Sequence, residues 1–301
     1  DVPILTNDDV DYHNMHPGFR MSLGSAIRLA FALPVIDVLE ELLRKIRPYE
    51  KVAGSTNRAF EKGMDAVVEG LELHPISGLK KGFKKAIDLM NQVKYDRTNR
   101  RPRVLIVGEY LLNFHPGANH DIENYLDHNG FDIIEAHMTD VIQKSYFYLD
   151  AQIKEYKLKK PLNKKIWFST VDTVFDMAHN MADAIAKKHP LYTPACRMPD
   201  LVKASDPIIN HTFDAGEGVL IPGELLHHAK DCCRSFVILQ PFGCLPNHVV
   251  GRGISKRLKE MYPDAQILPL DYDPDVSFAN IENRLQMLIM NAKSGNIKDK
   301  N

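Results

Sequence analysis

Two kinds of hydrophobic pattern divide this chain of 301 residues. In the first hundred residues the apolar positions recur three and four apart, which is typical of amphipathic helices. This spacing predicts helices over 21–47, 57–71 and 77–95. Pro34 should kink or divide the first of them, because proline removes a helical hydrogen bond and clashes with the preceding turn. We therefore predict a mainly helical region over 1–100.

Short, continuous apolar runs replace this pattern after the polar linker 96–102. A run that is apolar at every position is typical of a strand buried on both faces of a parallel sheet. Such strands are predicted at 103–108, 131–135, 207–210, 235–240 and 266–270. The helices predicted between and after them are 118–129, 139–155, 170–188, 218–231, 248–260 and 277–292. This alternation predicts an α/β domain over 101–301, with a mostly parallel sheet and helices on both faces.

Composition narrows the possible settings of the chain. The formal net charge is −1, so the overall charge predicts neither a nucleic-acid partner nor an anionic membrane. No apolar run approaches the roughly 18–20 residues that a membrane-spanning helix needs. Four cysteines without a secretion signal favour a reducing, cytoplasmic location over a disulfide scaffold. The chain begins at Asp1 rather than at a methionine, and we expect a fragment of a longer polypeptide.

The carboxyl ends of the predicted strands carry the candidate functional residues. Ligands of open α/β sheets bind outside these ends, where the connecting loops meet. In this chain the ends lead into Glu109, His137, Cys244 and Asp271. The strand positions alone therefore predict a site built from Glu109, Cys244, Asp271 and their neighbours.

Cys244 ends the turn Gln240-Pro-Phe-Gly-Cys, which lies between a predicted strand and the helix predicted at 248–260. Backbone N–H groups and the dipole at a helix N-terminus stabilise a thiolate that faces them. A thiolate can ligate a metal, attack an electrophile or exchange with a disulfide. A cysteine can equally be a small apolar residue of the core. The residue pattern leaves these uses open.

Two further segments lie near the predicted ligand edge. Gly216 and Gly218 would let the backbone approach a ligand closely at a helix start, with Glu217 between them as an acid/base candidate. The alternative is a capped helix with an ordinary carboxylate. Asn119 lies in the turn after the first predicted strand, where the alternative is a polar connecting turn. No GxGxxG, P-loop or GxSxG motif accompanies these residues.

Two segments, 101–134 and 216–274, resemble a known family; they contain the phrases VGEY, GEGVLIPGE and QPFGCLPNH. The family is that of the 2-hydroxyacyl-CoA dehydratase components. The resemblance is closer to the dehydratase-like C-terminal region of large CoA-substrate-specific enzyme activase-related proteins. It covers about 100–290 well and the first hundred residues more loosely.

The resemblance implies a Rossmann-like fold whose two α/β halves hold an iron–sulfur cluster, expected to be 4Fe-4S, between them through cysteine thiolates. It implies ATP-driven, low-potential electron transfer to an acyl-CoA-type substrate. Cys244 matches the cysteine of the QPFGC phrase and takes the role of a metal ligand. Glu109 and Glu217 match the GE and GEG positions and become catalytic candidates. The candidates for cofactor binding are Gly216, Gly218, Gly243 and Asn119.

The chain departs from the family pattern in its cysteines. The companion cysteines expected from a preceding α/β half are not found before residue 196, and the ATP-binding activase module is missing from the sequence. One thiolate does not hold a cluster stably. We therefore expect an upstream half and an activase module, on the same or a partner chain, and expect this chain alone to be cluster-free and inactive. Whether Cys196, Cys232 or Cys233 also binds metal stays open.

Two other functions fit the same residues. The chain could be a non-catalytic α/β module for binding or docking within a multidomain protein, in which case Cys244 should pack among apolar side chains. It could also be a thiol-dependent enzyme that uses Cys244 with a nearby base such as His248. The sequence alone does not decide whether the chain is an enzyme, and it does not fix the substrate, the cluster type or the oligomeric state.

Overall fold

A four-stranded parallel sheet organises the region after residue 100 in the computed structural model, which describes residues 22–159, 162–213, 215–273 and 277–293. The strands are β1 (Arg103–Gly108), β2 (Asp132–Glu135), β3 (Ser235–Pro241) and β4 (Gln266–Tyr272). They lie in the order β2-β1-β3-β4, and each neighbouring pair is parallel. The prediction of an α/β fold with a parallel sheet is confirmed.

Both faces of the sheet are covered by helices. Val104 and Ile106 of β1 pack toward α5 (Ile122–His128) and α11 (Phe278–Lys293). Leu105 and Val107, on the opposite face, pack toward α9 (Leu220–Lys230) and α10 (Ser255–Met261). Because successive residues of a strand point to opposite faces and both faces are buried, the strand is apolar at every position.

The order of the strands creates a switch point between β1 and β3. The chain leaves β1 for β2 on one side and later returns to β3 on the other side of β1. The loops after β1 and β3 therefore diverge and leave a crevice at the carboxyl edge. Open α/β sheets bind their ligands in this crevice, and the flavodoxin-like strand order is an example.

A helical layer packs beside the sheet. It contains α1 (Leu23–Ile46), α2 (Ser55–Leu73), α3 (Ser77–Asn91) and, from the later part of the chain, α7 (Leu162–Ala186). The remaining helical elements are a 3-10 turn (Arg47–Tyr49), α4 (Tyr110–Phe114), α6 (Met138–Glu155), α8 (Met198–Ala204) and a π-helical turn (Asn247–Arg252). The domain boundary near residue 100 stays a prediction. Among the described residues, no helix combines the length and apolar content needed to cross a lipid bilayer.

The strand predicted at 207–210 is wrong, because these residues form a turn. The backbone N–H groups of Ile208 and Ile209 both donate to the carbonyl of Ser205 at 2.9 Å. The hydroxyl of Ser205 donates to the carbonyls of Val202 and Ile209. The two isoleucines are apolar because they pack against the core under the sheet. A turn whose side chains pack against the core produces the same short apolar run in the sequence as a buried strand does.

Other helix predictions are correct in type and wrong in extent. Helix α1 continues through Pro34 and is not divided there. Helix α7 begins at Leu162, eight residues before the predicted start at 170. The helix predicted over 248–260 is a π-helical turn followed by α10. Helices α4 and α8 are not among the predicted helices, because each is too short to display a helical repeat of apolar residues.

Buried ion pairs connect α1 to the α/β region. The guanidinium of Arg44 pairs with Glu135 at the end of β2, with Glu123 of α5 at 3.2 Å and with Glu40 at 3.3 Å. Asp37, one turn earlier on α1 than Glu40, accepts hydrogen bonds from the backbone N–H groups at the start of α6. These contacts fix the helical layer against the carboxyl edge of β2.

Replacing His211 with glutamine is expected to destabilise the protein more at about pH 5.5 than at about pH 8. The imidazole of His211 bonds Asp206 at 2.7 Å and Glu155, at the end of α6, at 3.0 Å. The hydrogen bond with Asp206 raises the pKa of His211, and the hydrogen bond with Glu155 raises it further. The contribution of the imidazolium is therefore complete below the ordinary value of about 6.5 and is lost as the pH rises through the raised pKa. Urea unfolding at both pH values measures the difference, and an equal loss at both would contradict the prediction.

Candidate functional site

Cys244 lies at the switch point, in the turn that follows β3. Gly243 before it has a φ of 79°, a left-handed conformation that glycine adopts without strain. The N–H of Cys244 donates to the carbonyl of Pro241 at 3.2 Å, which closes the turn. The carbonyl of Cys244 accepts the N–H of His248 at 2.9 Å, which begins the following helical turns. The thiol therefore lies between a strand and a helical segment, as the sequence predicts.

The helical segment after Cys244 is wider than an α-helix. Over Asn247–Arg252 it is π-helical, and the N–H of Gly253 donates to the carbonyl of His248, five residues before it, at 3.2 Å. Turns of this kind are rare and frequently occur at functional sites. The turn places the side chain of Asn247 beside the thiol of Cys244.

Asn247 is the donor to the sulfur. Its Nδ2 donates to Sγ of Cys244 at 3.2 Å and also donates to Oε1 of Glu217. Asn247 is fully buried, so it holds both partners at fixed positions. The sequence predicts that backbone N–H groups face the sulfur of Cys244. In the structure, the side chain of Asn247 is the donor to this sulfur.

Glu217 is the carboxyl group beside the thiol. Its Oε1 lies 3.9 Å from Sγ of Cys244. Burial raises the pKa of Glu217, and the negative charge of Glu109 adds to this effect, while the hydrogen bond from Asn247 and the charge of Lys144 oppose it. A carboxylate with a raised pKa is a suitable acceptor for the proton that a thiol loses. The structure thus brings together Cys244 and Glu217, two of the residues that the sequence singled out.

The loop that carries Glu217 is fixed from α6. Nζ of Lys144 donates to the carbonyl of Gly216. A Cβ on Gly216, whose φ is 50°, would lie 3.2 Å from Pro246, and one on Gly218 would lie 2.8 Å from the ring of Phe213. Gly216 is exposed and its left-handed backbone favours glycine, whereas Gly218 is buried and serves close packing. A role for Gly216, Gly218 and Gly243 in binding a cofactor stays a prediction.

Glu109 and Asn119 have structural partners of their own. Oε2 of Glu109 accepts the N–H of Leu112 at 3.0 Å and caps α4. The carboxamide of Asn119 donates to the carbonyl of Leu112 at 2.7 Å and accepts the N–H of Ile122 at 3.3 Å. Asn119 lines a cleft of about 420 Å³ that faces α1 and does not include Cys244. The predicted catalytic role of Glu109 and cofactor role of Asn119 stay predictions.

The imidazole of His248 does not contact the thiol. Its Nδ1 lies 3.1 Å from the carbonyl oxygen of Cys244, and its Nε2 lies 3.6 Å from Oδ1 of Asp271. Although burial acts in the opposite direction, hydrogen bonds from Gln240 and Arg252 lower the pKa of Asp271. Asp271 is thus linked to the backbone of Cys244 through His248, and not to its sulfur.

Exposed apolar side chains flank Cys244 along the turn after β3 and the π-helical turn. Phe242, Leu245 and Val249 are 76%, 66% and 56% exposed, and Cys244 itself is partly exposed. The ring of Phe242 packs edge-on against His248, with the ring centres 6.0 Å apart. We call these three side chains the apolar collar. Exposed apolar patches of this kind mark sites of contact with another protein or with a ligand.

A second set of charged side chains lies behind Glu217. His137, Asp140 and Glu224 line, with Glu217, a small cavity of about 20 Å³ between the ends of β1 and β2 and helix α9. Burial raises the pKa of Asp140 to about 8. Glu224 pairs with His228 at 3.3 Å. The sequence placed His137 at this edge, but it gave no indication that buried carboxyl groups gather around it.

The described residues do not fit a complete iron–sulfur cluster. No three His, Cys, Asp or Glu side chains within them are grouped so as to hold a metal ion. Cys232 and Cys233 precede β3, and a strand of seven residues separates them from Cys244 by roughly 20 Å. Cys196 packs against the small core around Met198, and burial raises its thiol pKa to about 12. Cys244 is therefore the single thiol of the turn that follows β3, while Cys196 lies near enough to Glu224 and Asp140 for their charges to act on its thiol.

Asn247 and Lys144 are the site residues that sequence reasoning missed. Asn247 follows Cys244 by three residues, so a helical turn places both on one side, and this Cys-x-x-Asn spacing is a signal that could have been used. Lys144 lies some seventy residues before the loop that it holds, and nothing in the sequence connects the two.

Comparison with protein-family models, with curated protein sequences and with solved structures found no match. The family resemblance stays a prediction.

Proposed function

We propose that this chain contributes Cys244 as one thiolate ligand to an iron–sulfur cluster that a second α/β unit completes. The observation that carries the proposal is a partly exposed thiol at the switch point of the sheet, flanked by the apolar collar. The ATP-driven, low-potential electron transfer to an acyl-CoA-type substrate belongs to the same proposal and rests on the family resemblance. The activase module and the upstream half are its proposed partners.

The surroundings of the thiol support a role as a ligand. Asn247 donates a hydrogen bond to Sγ and so orients the sulfur, as partners of metal ligands do. Hydrogen bonds to ligand sulfurs also tune the properties of a bound cluster. Glu217 is placed to accept the proton that ligation releases. Asn247 and Glu217 would act as positioning residues, because both act on the ligand and neither is itself a thiolate.

The apolar collar supports the sharing of the cluster. Three large apolar side chains that project into water beside a single thiol are favourable only when another surface covers them. A partner seated on Phe242, Leu245 and Val249 would also exclude water from Cys244. The collar thus fits a cluster held between two units better than a cluster held within this chain.

The two alternative functions receive less support. A thiol enzyme that uses His248 as base needs the imidazole at the sulfur, and both ring nitrogens of His248 lie against other atoms. A purely structural Cys244 should pack among apolar side chains, and its nearest polar partners are the carboxamide of Asn247 and the carboxyl group of Glu217. The collar alone would also suit a docking module that carries no cluster.

Exchange of a small-molecule cluster onto the chain tests the proposal. A 4Fe-4S cluster with four small thiolate ligands is titrated, without oxygen, with the wild-type chain, with Cys244→Ser and with Cys232→Ser. Cys244 should replace one small thiolate, which leaves as the thiol after taking the proton of Cys244. The expected result is equal spectroscopic binding by the wild type and Cys232→Ser, and a loss of at least about tenfold in affinity for Cys244→Ser.

Cys232→Ser is the matched control, because Cys232 is also partly exposed but lies at the opposite edge of the sheet. Equal binding by Cys244→Ser and the wild type would exclude Cys244 as the ligand. If the wild type binds no cluster while Cys244 is readily alkylated, the proposal of a ligand fails and the docking module remains.

A further inference from the structure

The connection between α6 and α7 carries exposed apolar side chains that the proposed function does not use. Five large ones, between 42% and 72% exposed, lie within twelve residues of one another. They are Tyr156, Leu158, Leu162, Ile166 and Trp167. A soluble surface seldom gathers so many apolar side chains without a partner.

Lysines alternate with these apolar residues. Lys157, Lys159 and Lys165 are all exposed. In sequence, the stretch from 154 to 165 holds six lysines against a single glutamate. The net charge of −1 for the whole chain conceals this local positive charge. We call the five apolar side chains together with these three lysines the basic-apolar tip.

The backbone holds the two sides of the tip in place. Lys157, with a φ of 52°, ends α6 in a left-handed turn, and the N–H of Leu158 returns to the carbonyl of Ile153 at 3.2 Å. This is the hydrogen-bond pattern of a regular helix end. On α7, Leu162 and Ile166 are four residues apart and share one face, with Trp167 beside them. Leu162 and Ile166 therefore project from one side of α7.

We propose that the basic-apolar tip binds a membrane surface that contains anionic phospholipids. Leucine, isoleucine and tryptophan side chains insert at the level of the lipid headgroups, while lysines beside them attract the phosphates. Tryptophan in particular favours this interface, because its ring is apolar and its N–H is polar. The tip would lie on the membrane, and no helix needs to cross it.

The composition of the tip favours lipid over the other partners. Nucleic acid would be bound by lysines and by aromatic rings that stack on bases, but Leu158, Leu162 and Ile166 offer no stacking surface. An acidic protein would pair with the lysines, but it would also need apolar pockets to receive each of these side chains. A lipid interface accepts both kinds of side chain without a matched shape.

Fluorescence of Trp167 tests the proposal directly, because it is the single tryptophan of the chain. The 301-residue chain is titrated at low salt with vesicles of phosphatidylcholine, and with vesicles of equal parts phosphatidylcholine and phosphatidylglycerol. The expected result is a blue shift of the emission and co-sedimentation with the anionic vesicles only. High salt should reverse both. Leu162→Ser with Ile166→Ser should weaken the binding without a change in fold, because both positions are exposed.

Charge variants separate the tip from general attraction to negative lipid. The variant Lys157→Gln, Lys159→Gln, Lys165→Gln should bind roughly a hundredfold more weakly, since each lysine near the surface contributes roughly fivefold. The matched control is Lys80→Gln, Lys81→Gln, Lys84→Gln on α3, which removes the same charge from an exposed face and should bind like the wild type. Equal losses in both variants would overturn the proposal. So would a Trp167 response to poly-glutamate without one to anionic vesicles, which would identify an acidic protein as the partner.

Discussion

Replacing Gly82 with alanine is expected to destabilise the protein by more than about 3 kcal/mol, because it forces α2 and α3 apart. A Cβ on Gly82 would lie 2.1 Å from the carbonyl oxygen of Ala66. That oxygen belongs to the backbone of α2, so no side-chain rotation can relieve the overlap. Gly70 and Gly78 face each other just as closely, and Cβ atoms there would lie 2.3 Å and 2.0 Å from backbone oxygens. The helical layer depends on this close contact.

Urea unfolding followed by circular dichroism measures the effect, with Gly24→Ala as the matched control. Gly24 lies on the exposed first turns of α1, and a Cβ there meets nothing closer than 3.5 Å. Alanine at this position should stabilise the helix by up to about 1 kcal/mol. A Gly82→Ala protein as stable as the wild type would show that α2 and α3 lie further apart than the structure has them.

The parallel sheet could be predicted because a strand that is buried on both faces is apolar at almost every position of the sequence. Residues 103–108 are apolar almost throughout, and the structure buries them against α5 and α11 on one face and α9 and α10 on the other. The turn at 207–210 misled the same reasoning, because Ile208 and Ile209 are partly buried against the core without being extended. Apolar residues indicate that a segment is buried, but only the spacing of these residues indicates whether the backbone is a helix or a strand.

The helical layer shows a second limit. Helix α7 packs against α1 and α3 through residues such as Ala178 and Ala182, which lie far along the chain from either helix. Small apolar residues on a helix predict a buried face, but they do not name the helix that covers it. The sequence therefore predicted α7 as a helix, but it did not predict that α7 completes the core of the helices in the first hundred residues.

The candidate site was predictable only where it follows from strand order. Cys244 follows a buried strand, and the carboxyl ends of parallel strands meet at one edge, so its position could be derived. The contacts of Asn247 and Lys144 could not, because they depend on a π-helical turn and on a helix distant in sequence. The exposed positions of the collar and of the basic-apolar tip are likewise a result of tertiary packing.

Replacing Arg44 with methionine is expected to cost about 3–5 kcal/mol of stability at about pH 8. The guanidinium of Arg44 is almost buried and pairs with Glu40, Glu123 and Glu135. Methionine fills a similar volume but removes the cation from Glu40 and Glu135, while Glu123 keeps its pair with Arg47 at 2.8 Å. Removing one partner of a buried charge cluster costs more than the cluster contributes as a whole, because the remaining charges stay desolvated.

The loss should shrink as the pH falls. Burial raises the pKa of Glu135 to about 7, and the charges of Glu123 and Glu40 add to this although Arg44 opposes it. The folded protein then holds a proton that the unfolded chain releases above about pH 4.5, so this carboxyl group favours folding less as the pH rises toward 7. Without the guanidinium the pKa of Glu135 should rise further, and the gap to the wild type should be widest above that pH and narrow toward about pH 5.

Urea unfolding of wild type and Arg44→Met at both ends of this pH range measures the gap. The matched control is Arg257→Met, which breaks an exposed pair with Glu260 and should change stability by less than about 1 kcal/mol at either pH. A gap for Arg44→Met that stays constant with pH would mean that the loss comes from packing rather than from the carboxylates. If the gap follows the pH as expected, the contact between α1 and the end of β2 depends on charge. The protonation state of Glu135 then changes the stability of the interface between the helical layer and the sheet, beside the candidate site.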